Sequence, residues 1–305
     1  MYTHITRDDR AVIADGRRRG ESYQEIADRI GTHKSSVYRE VQRNSNPDGT
    51  YYVADADKQA RKRRRESKTA YRKIENNPTL ADKIEDRLEP LVSPEVVAHE
   101  EGIHHQTIYG WIYRSRPDLK DQLPQRGRKR RQYGSKRGQK QGWTADVREI
   151  SDRPEDDNSP TWEGDTVHGG SKTRLLTHVE KDSLYTKAHI IPDGTCDSVQ
   201  MRMKDTGLFG TVTYDRGNEF SLWKMIERDL DIEIYFADAY SPWQRGTNEN
   251  TNGRLRRVFP KGFDFASITQ SELDDVVKTM NHTPRKSLDW QTPAEVFNSM
   301  RCTSG

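Results

Sequence analysis

Three acids stand where a metal-dependent phosphoryl transfer needs oxygen ligands. Asp165 lies within TWEGDTV, Asp215 closes TVTYD ahead of RGNEF, and Glu249 opens the polar stretch SPWQRGTNENTNGRLRR at 241–257. Between them lie 49 and then 33 residues. A carboxylate in the middle of a strand is costly to bury unless a cation meets it. Acids with no histidine or cysteine among them are the hard ligands that Mg²⁺ or Mn²⁺ prefers. Two such ions activate a water or a 3′ hydroxyl and steady the leaving oxygen of an in-line transfer. The plainer alternatives are exposed strand-end acids for the aspartates and a dipole-favoured capping acid for Glu249.

The elements that must position these acids follow from pattern. Short segments at 161–167, 174–180 and 184–191, joined by GGSK and KDS, read as an antiparallel meander. A short helix after Thr195, a strand at 211–215, a helix at 220–230 and a strand at 232–236 follow. The Gly after Asp215, Gly217, suits a tight turn that carries the carboxylate to the sheet end. Asn and Gly are poor helix formers, so the helix that begins near Gly246 is built for a site more than for packing. On it Glu249 shares a stripe with Asn252, Gly253 and Arg256, while Leu255, Val258 and Phe259 reach a core. Helices at 271–281 and 293–300 close the chain. Three strands and then alternating helix and strand make an α/β layer with a mixed sheet.

The first half is helical and basic. Thr6 with Asp9 and Ser22 with Glu25 are capping boxes, Gly20 and Gly31 are stops, and a third helix starts at THKSS. That is a helix-turn-helix pattern whose last helix offers Lys34, Ser35, Ser36, Tyr38, Arg39 and Arg43 to a major groove. An ordinary three-helix bundle is the alternative. From Lys58 to Lys73 there are nine Lys and Arg, Arg63 and Arg64 among them, against the single acid Glu66, a run that suits phosphate. Ser93 and Pro94 start a second helical pair, whose later helix carries Thr107 and Tyr109. His104 and His105 start that helix or, alternatively, bind a metal. Residues 125–142 hold eight Lys and Arg, including Arg128, Lys129, Arg130 and Arg131, with four Gly and no acid. Such a segment is a flexible linker that orders, if at all, on nucleic acid. The expected divisions are therefore 1–57, 58–123, 124–150 and 151–305.

The composition agrees with that plan. Residues 1–150 hold 32 Lys and Arg against 23 Asp and Glu, and the remainder holds 19 against 25, so a basic half meets an acidic one. This suits an arm for a polyanion and a body for cations. Cys196 and Cys302 have no metal-type spacing, so neither a disulfide framework nor a zinc site is indicated. A reducing cytoplasm, with the chain at the nucleoid, is the expected location. No apolar run has membrane-spanning length, and the N-terminal residues do not read as a signal peptide.

WEGDTV, TYDRGNEF, SPWQRGTNENTNG and PRKSLDWQTPAEVF (284–297) together resemble the bacterial transposases of the insertion sequence 30 type. The likeness extends over nearly the whole chain. It implies a ribonuclease H-like catalytic domain behind all-α helix-turn-helix domains, and a metal triad of Asp165, Asp215 and Glu249 holding two Mg²⁺ or Mn²⁺ ions. It also implies binding to the terminal inverted repeats of a mobile element and to target DNA. Trp243, Gln244, Arg245, Asn248, Asn250, Asn252 and Arg256 then fall near the DNA strands. Joining two ends at once requires at least a dimer. Two other readings compete with a strand-cutting enzyme. One is a DNA-binding regulator with an idle catalytic body. The other is a retrovirus-type integrase, against which stands the absence of any cysteine before Cys196 for an N-terminal zinc module.

Overall fold

The computed structural model describes residues 4–67, 69–126, 147–154, 159–238 and 242–303. They divide into two compact units, Met1–Pro78 and Thr79–Gly305.

The first unit holds α1 (Arg7–Arg19), α2 (Tyr23–Ile30), α3 (Lys34–Asn44) and α4 (Val53–Ser67). Both capping boxes form. Thr6 Oγ1 accepts from Asp9 N at 3.1 Å while Asp9 Oδ2 accepts from Thr6 N at 2.7 Å, and Ser22 and Glu25 repeat the exchange. Gly20 and Gly31 end their helices at φ 74° and 65°, in the left-handed region that costs glycine least. Ile13, Ile26, Val37 and Val41 are buried together, with Tyr51 and Ala56 from beyond α3. Arg10, 3% exposed, binds Glu40 at 2.7 Å and Asp57 at 3.1 Å, tying α1 to α3 and α4. The division drawn at residue 57 therefore falls inside a helix. The basic run belongs with the helix-turn-helix, because Ala56 and Ala60 are buried and Asp57 answers Arg10.

The second unit begins with α5 (Pro78–Arg87), α6 (Pro94–Glu100) and α7 (His105–Ser115). The second helical pair is thus grouped with the sheet rather than with the basic run. His104 caps α7, its Nδ1 accepting from Gln106 N at 3.2 Å, and His105 stacks on it. The sheet is built from β1 (Thr161–His168), β2 (Arg174–Glu180), β3 (Thr186–Ile191), β4 (Thr211–Tyr214) and β5 (Glu233–Phe236). Its order is β3-β2-β1-β4-β5, antiparallel through β1 and parallel from β1 to β5. α8 (Cys196–Met203), α9 (Trp223–Leu230) and α12 (Pro293–Thr303) lie with Trp162, Val212, Tyr214 and Phe236 in one core. α10 (Gly246–Val258) and α11 (Gln270–Asn281) lie with Val167, Leu175 and Ala188 in the other. This is the ribonuclease H-like arrangement, a mixed sheet covered on both faces. Among the described residues no helix is long and apolar enough to cross a membrane.

Candidate active site

Strand register brings the two aspartates together. Glu163 pairs with Thr213 across the parallel β1–β4 contact, so Asp165 and Asp215, each two residues further on, come side by side on the same face. Alternation along β1 turns Glu163, Asp165 and Val167 toward α10 and leaves Trp162 and Gly164 toward the other core. Gly164 has to be glycine, since a Cβ there lies 2.1 Å from the Tyr214 ring. Gly217 differs from expectation: its φ is an ordinary −70°, and what it supplies is space, because a Cβ meets Glu219 at 2.7 Å and Asp215 at 3.0 Å.

A single guanidinium spans the pair. Arg245 gives Nη1 to Asp215 Oδ2 at 2.9 Å, lies 3.5 Å from Asp165 Oδ1, and donates Nη2 to Gly164 O at 2.7 Å. Asn252, two turns along α10, donates to Asp165 Oδ2 at 2.7 Å and accepts from Thr177. Thr166 N holds Asp165 Oδ1 at 2.9 Å, and Gly217 N holds Asp215 Oδ1 at 3.2 Å. Burial pushes the Asp165 carboxyl up to about 6; Asp215 adds to the rise and Arg245 opposes it.

Glu249 is not part of this cluster. Among the described residues no three His, Cys, Asp or Glu side chains are placed to share a metal. The buried residues of α10 are Asn248, Thr251 and Leu255, and Glu249 is exposed on its first turn. The physical reason is charge. A third carboxylate beside two others is repelled until a cation enters, and here a guanidinium meets that need. Two further acids stand close by that sequence reasoning did not assign. Glu163, 3% exposed, accepts from Asn248 N at 2.8 Å, and burial raises its pKa. Glu219 accepts from Thr166 Oγ1 at 2.8 Å. Alternation in WEGDT was the available signal for the first; the second depends on the turn after β4.

Two comparisons bear on what such a site belongs to. A helix-turn-helix domain family matches residues 1–44, the span of α1–α3. Over 321 residues the chain is 32% identical to the transposase for insertion sequence element IS4351 of Bacteroides fragilis, covering 98% of this chain and 97% of that one. It is 31% identical to transposase InsI for insertion sequence element IS30A of Escherichia coli, covering 96% and 83%. The chain belongs to the insertion sequence 30 family of transposases. Among solved structures the catalytic core domain of BIV integrase aligns with 48% of this chain and 99% of its own, at a TM-score of 0.38 and 21% identity.

For a transposase of this family, the residues expected to face DNA sort into three groups. Lys34, Tyr38, Arg39 and Arg43 are exposed on α3, with Ser35 and Ser36 half-buried beside them; Arg64 is exposed on α4 and Asn250 on α10. A second group is occupied within the protein. Arg63 binds Arg43 O at 2.6 Å and Asn44 Oδ1 at 2.5 Å, closing α4 on the end of α3. Tyr109 donates to Glu95 at 3.3 Å, and burial raises its hydroxyl to about 12. Thr107, half-buried on α7, starts the same helix. Gln244 makes a two-way clasp with Asp238, at 2.9 and 2.7 Å. Asn248 is 2% exposed, Arg245 and Asn252 are on the carboxylates, and Arg256 donates to His168 O. For Arg63, Tyr109, Gln244, Arg245, Asn252 and Arg256 a donor answers a nearby acceptor that the sequence does not place. A third group, Arg128, Lys129, Arg130 and Arg131 with the linker residues 127–146 and the Trp243 side chain, lies outside the described residues.

The transposase should show the half-buried Asp165 in its pH response. Its folded pKa is raised, so between about pH 4 and pH 6 the folded chain holds a proton that the unfolded chain has lost. Rising pH therefore costs the metal-free protein up to about 3 kcal/mol across that window. Asp165→Asn should remove this loss, read as a wild-type to mutant difference in urea stability that grows from pH 4 to pH 7 in chelator. A constant difference would count against the burial assigned to Asp165.

Proposed function

We propose that the chain cuts DNA at the ends of an insertion sequence and joins the freed 3′ ends to a target. α1–α3 read the terminal inverted repeats and the ribonuclease H-like unit does the chemistry, with at least two copies acting together. The observation that carries this reading is the carboxylate pair side by side on one buried guanidinium: a cation site made of hard oxygen ligands. By donor chemistry Asp165 and Asp215 suit a divalent ion of the Mg²⁺ or Mn²⁺ kind. When bound, such ions polarise the phosphate and activate the attacking oxygen. The chain's own residues do the positioning. Thr166 N and Asn252 hold Asp165, and Gly217 N holds Asp215. Arg245 must give way to the metal. Glu249 is the third ligand in our reading. It follows Arg245 by four residues at the start of α10, so withdrawal of the guanidinium and approach of the carboxylate are movements of one helical turn.

The test is nicking of a duplex that carries the element's terminal repeat, with Mg²⁺ or Mn²⁺ and with chelator. Metal-dependent nicking by wild type that is lost in Asp165→Asn and Asp215→Asn supports the enzyme. Binding with equal, negligible nicking in all three leaves the regulator, which the exposed position of Glu249 would then explain. For the reading helix, Lys34→Ala and Arg39→Ala are expected to weaken repeat binding by about 1–3 kcal/mol. Joining of preformed ends at saturating DNA should be unchanged. Normal affinity in a gel shift would remove α3 from the role of reader.

A further inference from the structure

Arg254, Arg285 and Lys286 have no carboxylate within ion-pairing distance among the described residues, and all three line one cavity of about 500 Å³. The cavity lies within the second unit, with α10 along one wall and the start of α6 and the chain after α11 along others. Arg285 is 8% exposed; its Nη2 donates to Met280 O at 2.7 Å and its Nη1 has no acceptor. Arg254 gives Nη2 to Leu91 O at 3.1 Å and leaves a buried Nε without a partner. Lys286 is exposed at the wall. The single acid of the lining, Glu95, already accepts from Tyr109. Burial lowers the Arg285 pKa to about 10, as expected of a cation held with its counter-charge absent.

The same cavity carries an aromatic. Trp290 stacks flat on His99, ring centroids 4.1 Å apart and planes 4° from parallel. Its backbone and that of Asp289 both lie in the left-handed region, at φ 66° and 50°, an arrangement of two successive non-glycine residues that ordinary turns avoid. Clustered cations beside an aromatic ring are the combination that takes phosphate and base together, and the volume is that of a small organic ligand rather than a bare ion. Its α10 wall includes Asn250 and Arg254, on the helix that starts directly after Arg245 and whose Asn252 holds Asp165. A ligand here is thus one helix away from the carboxylate pair.

We propose that this cavity binds one nucleotide of a DNA strand, its phosphate on Arg254, Arg285 and Lys286 and its base at Trp290. The inference rests on the reading of the chain as one that acts on DNA. It assigns a strand-holding site separate from the helix-turn-helix and from the carboxylates.

The test uses the full chain carrying Asp165→Asn, in chelator, so that cleavage plays no part. Binding of inorganic phosphate, deoxyadenosine monophosphate and a short oligodeoxyadenylate is measured by calorimetry over a range of salt. Lys286→Glu, an exposed substitution checked by its melting curve, is expected to weaken mononucleotide and oligonucleotide about tenfold and to lower the oligonucleotide salt slope by about one. Lys286→Ala should act in the same direction by less. Trp290→Ala should weaken both nucleotide probes and spare phosphate, and Trp290→Phe should restore most of the loss. Oligonucleotide binding tighter than mononucleotide supports a strand as the source. Equal affinities for the two overturn the strand and leave a free nucleotide as the ligand. If no probe responds to either position, the site itself is wrong. Metal-dependent nicking by the chain with Asp165 intact is scored separately, so failure here leaves the strand-cutting reading standing, and failure there leaves this site standing.

Discussion

Asp165→Asn is expected to lower metal-dependent nicking of the terminal repeat by about 10³-fold or more while repeat binding is unchanged. The side chain keeps its size, and an amide oxygen still accepts from Thr166 N. What it loses is the negative charge that a hard cation requires, together with the second oxygen that accepts from Asn252. Unfolding cannot explain such a loss, because the substitution takes a strained charge out of a half-buried position and should stabilise the metal-free fold. Single-turnover nicking of a labelled duplex, with a gel shift on the same preparation, separates the two quantities. A mutant that nicks at the wild-type rate would end the assignment of Asp165 to the metal site.

Arg245→Gln should have an effect whose size depends on the metal. In chelator it leaves Asp165 and Asp215 facing each other with no cation, and because both carboxylates are partly exposed the cost should fall below the about 3–5 kcal/mol of a fully buried pair. Added Mn²⁺ then restores what the guanidinium supplied, so most of that loss should be recovered. Wild type, in which the ion has to displace Arg245, should gain less from the same addition. Free Mn²⁺ followed by its spin-resonance signal gives the affinity directly, and that affinity is expected to rise in the mutant. Equal metal-induced stabilisation of the two proteins, together with equal affinity, would show that Arg245 and the ion do not compete for one place.

Much of the helical half was legible because its signals are local. Thr6 with Asp9 and Ser22 with Glu25 are caps made by residues three apart, and Gly20 and Gly31 are stops that act through their own φ. The strands of the sheet were legible to within two residues, since alternation and turn chemistry are also short-range. The basic run at 58–73 was different. Read alone, α4 is a polar helix, and only Arg10, some fifty residues earlier, shows that it closes the first unit. The protein partners of Gln244, Arg245 and Tyr109 were hidden for the same reason. Polar side chains show no partner in a sequence until Asp238, the two aspartates and Glu95 are placed beside them.

By itself the sequence determined the kinds of element, their order, and which acids are candidates for a metal, because periodicity, caps and residue chemistry act over a few positions along the chain. Tertiary structure alone decided that Asp165 and Asp215 share a guanidinium and that Glu249 stands apart from them. It also decided that three cations with no carboxylate in reach among the described residues line one cavity. Those outcomes depend on strand register and on Coulomb forces between residues tens of positions apart, and charges so placed arrange themselves around whichever cation is present.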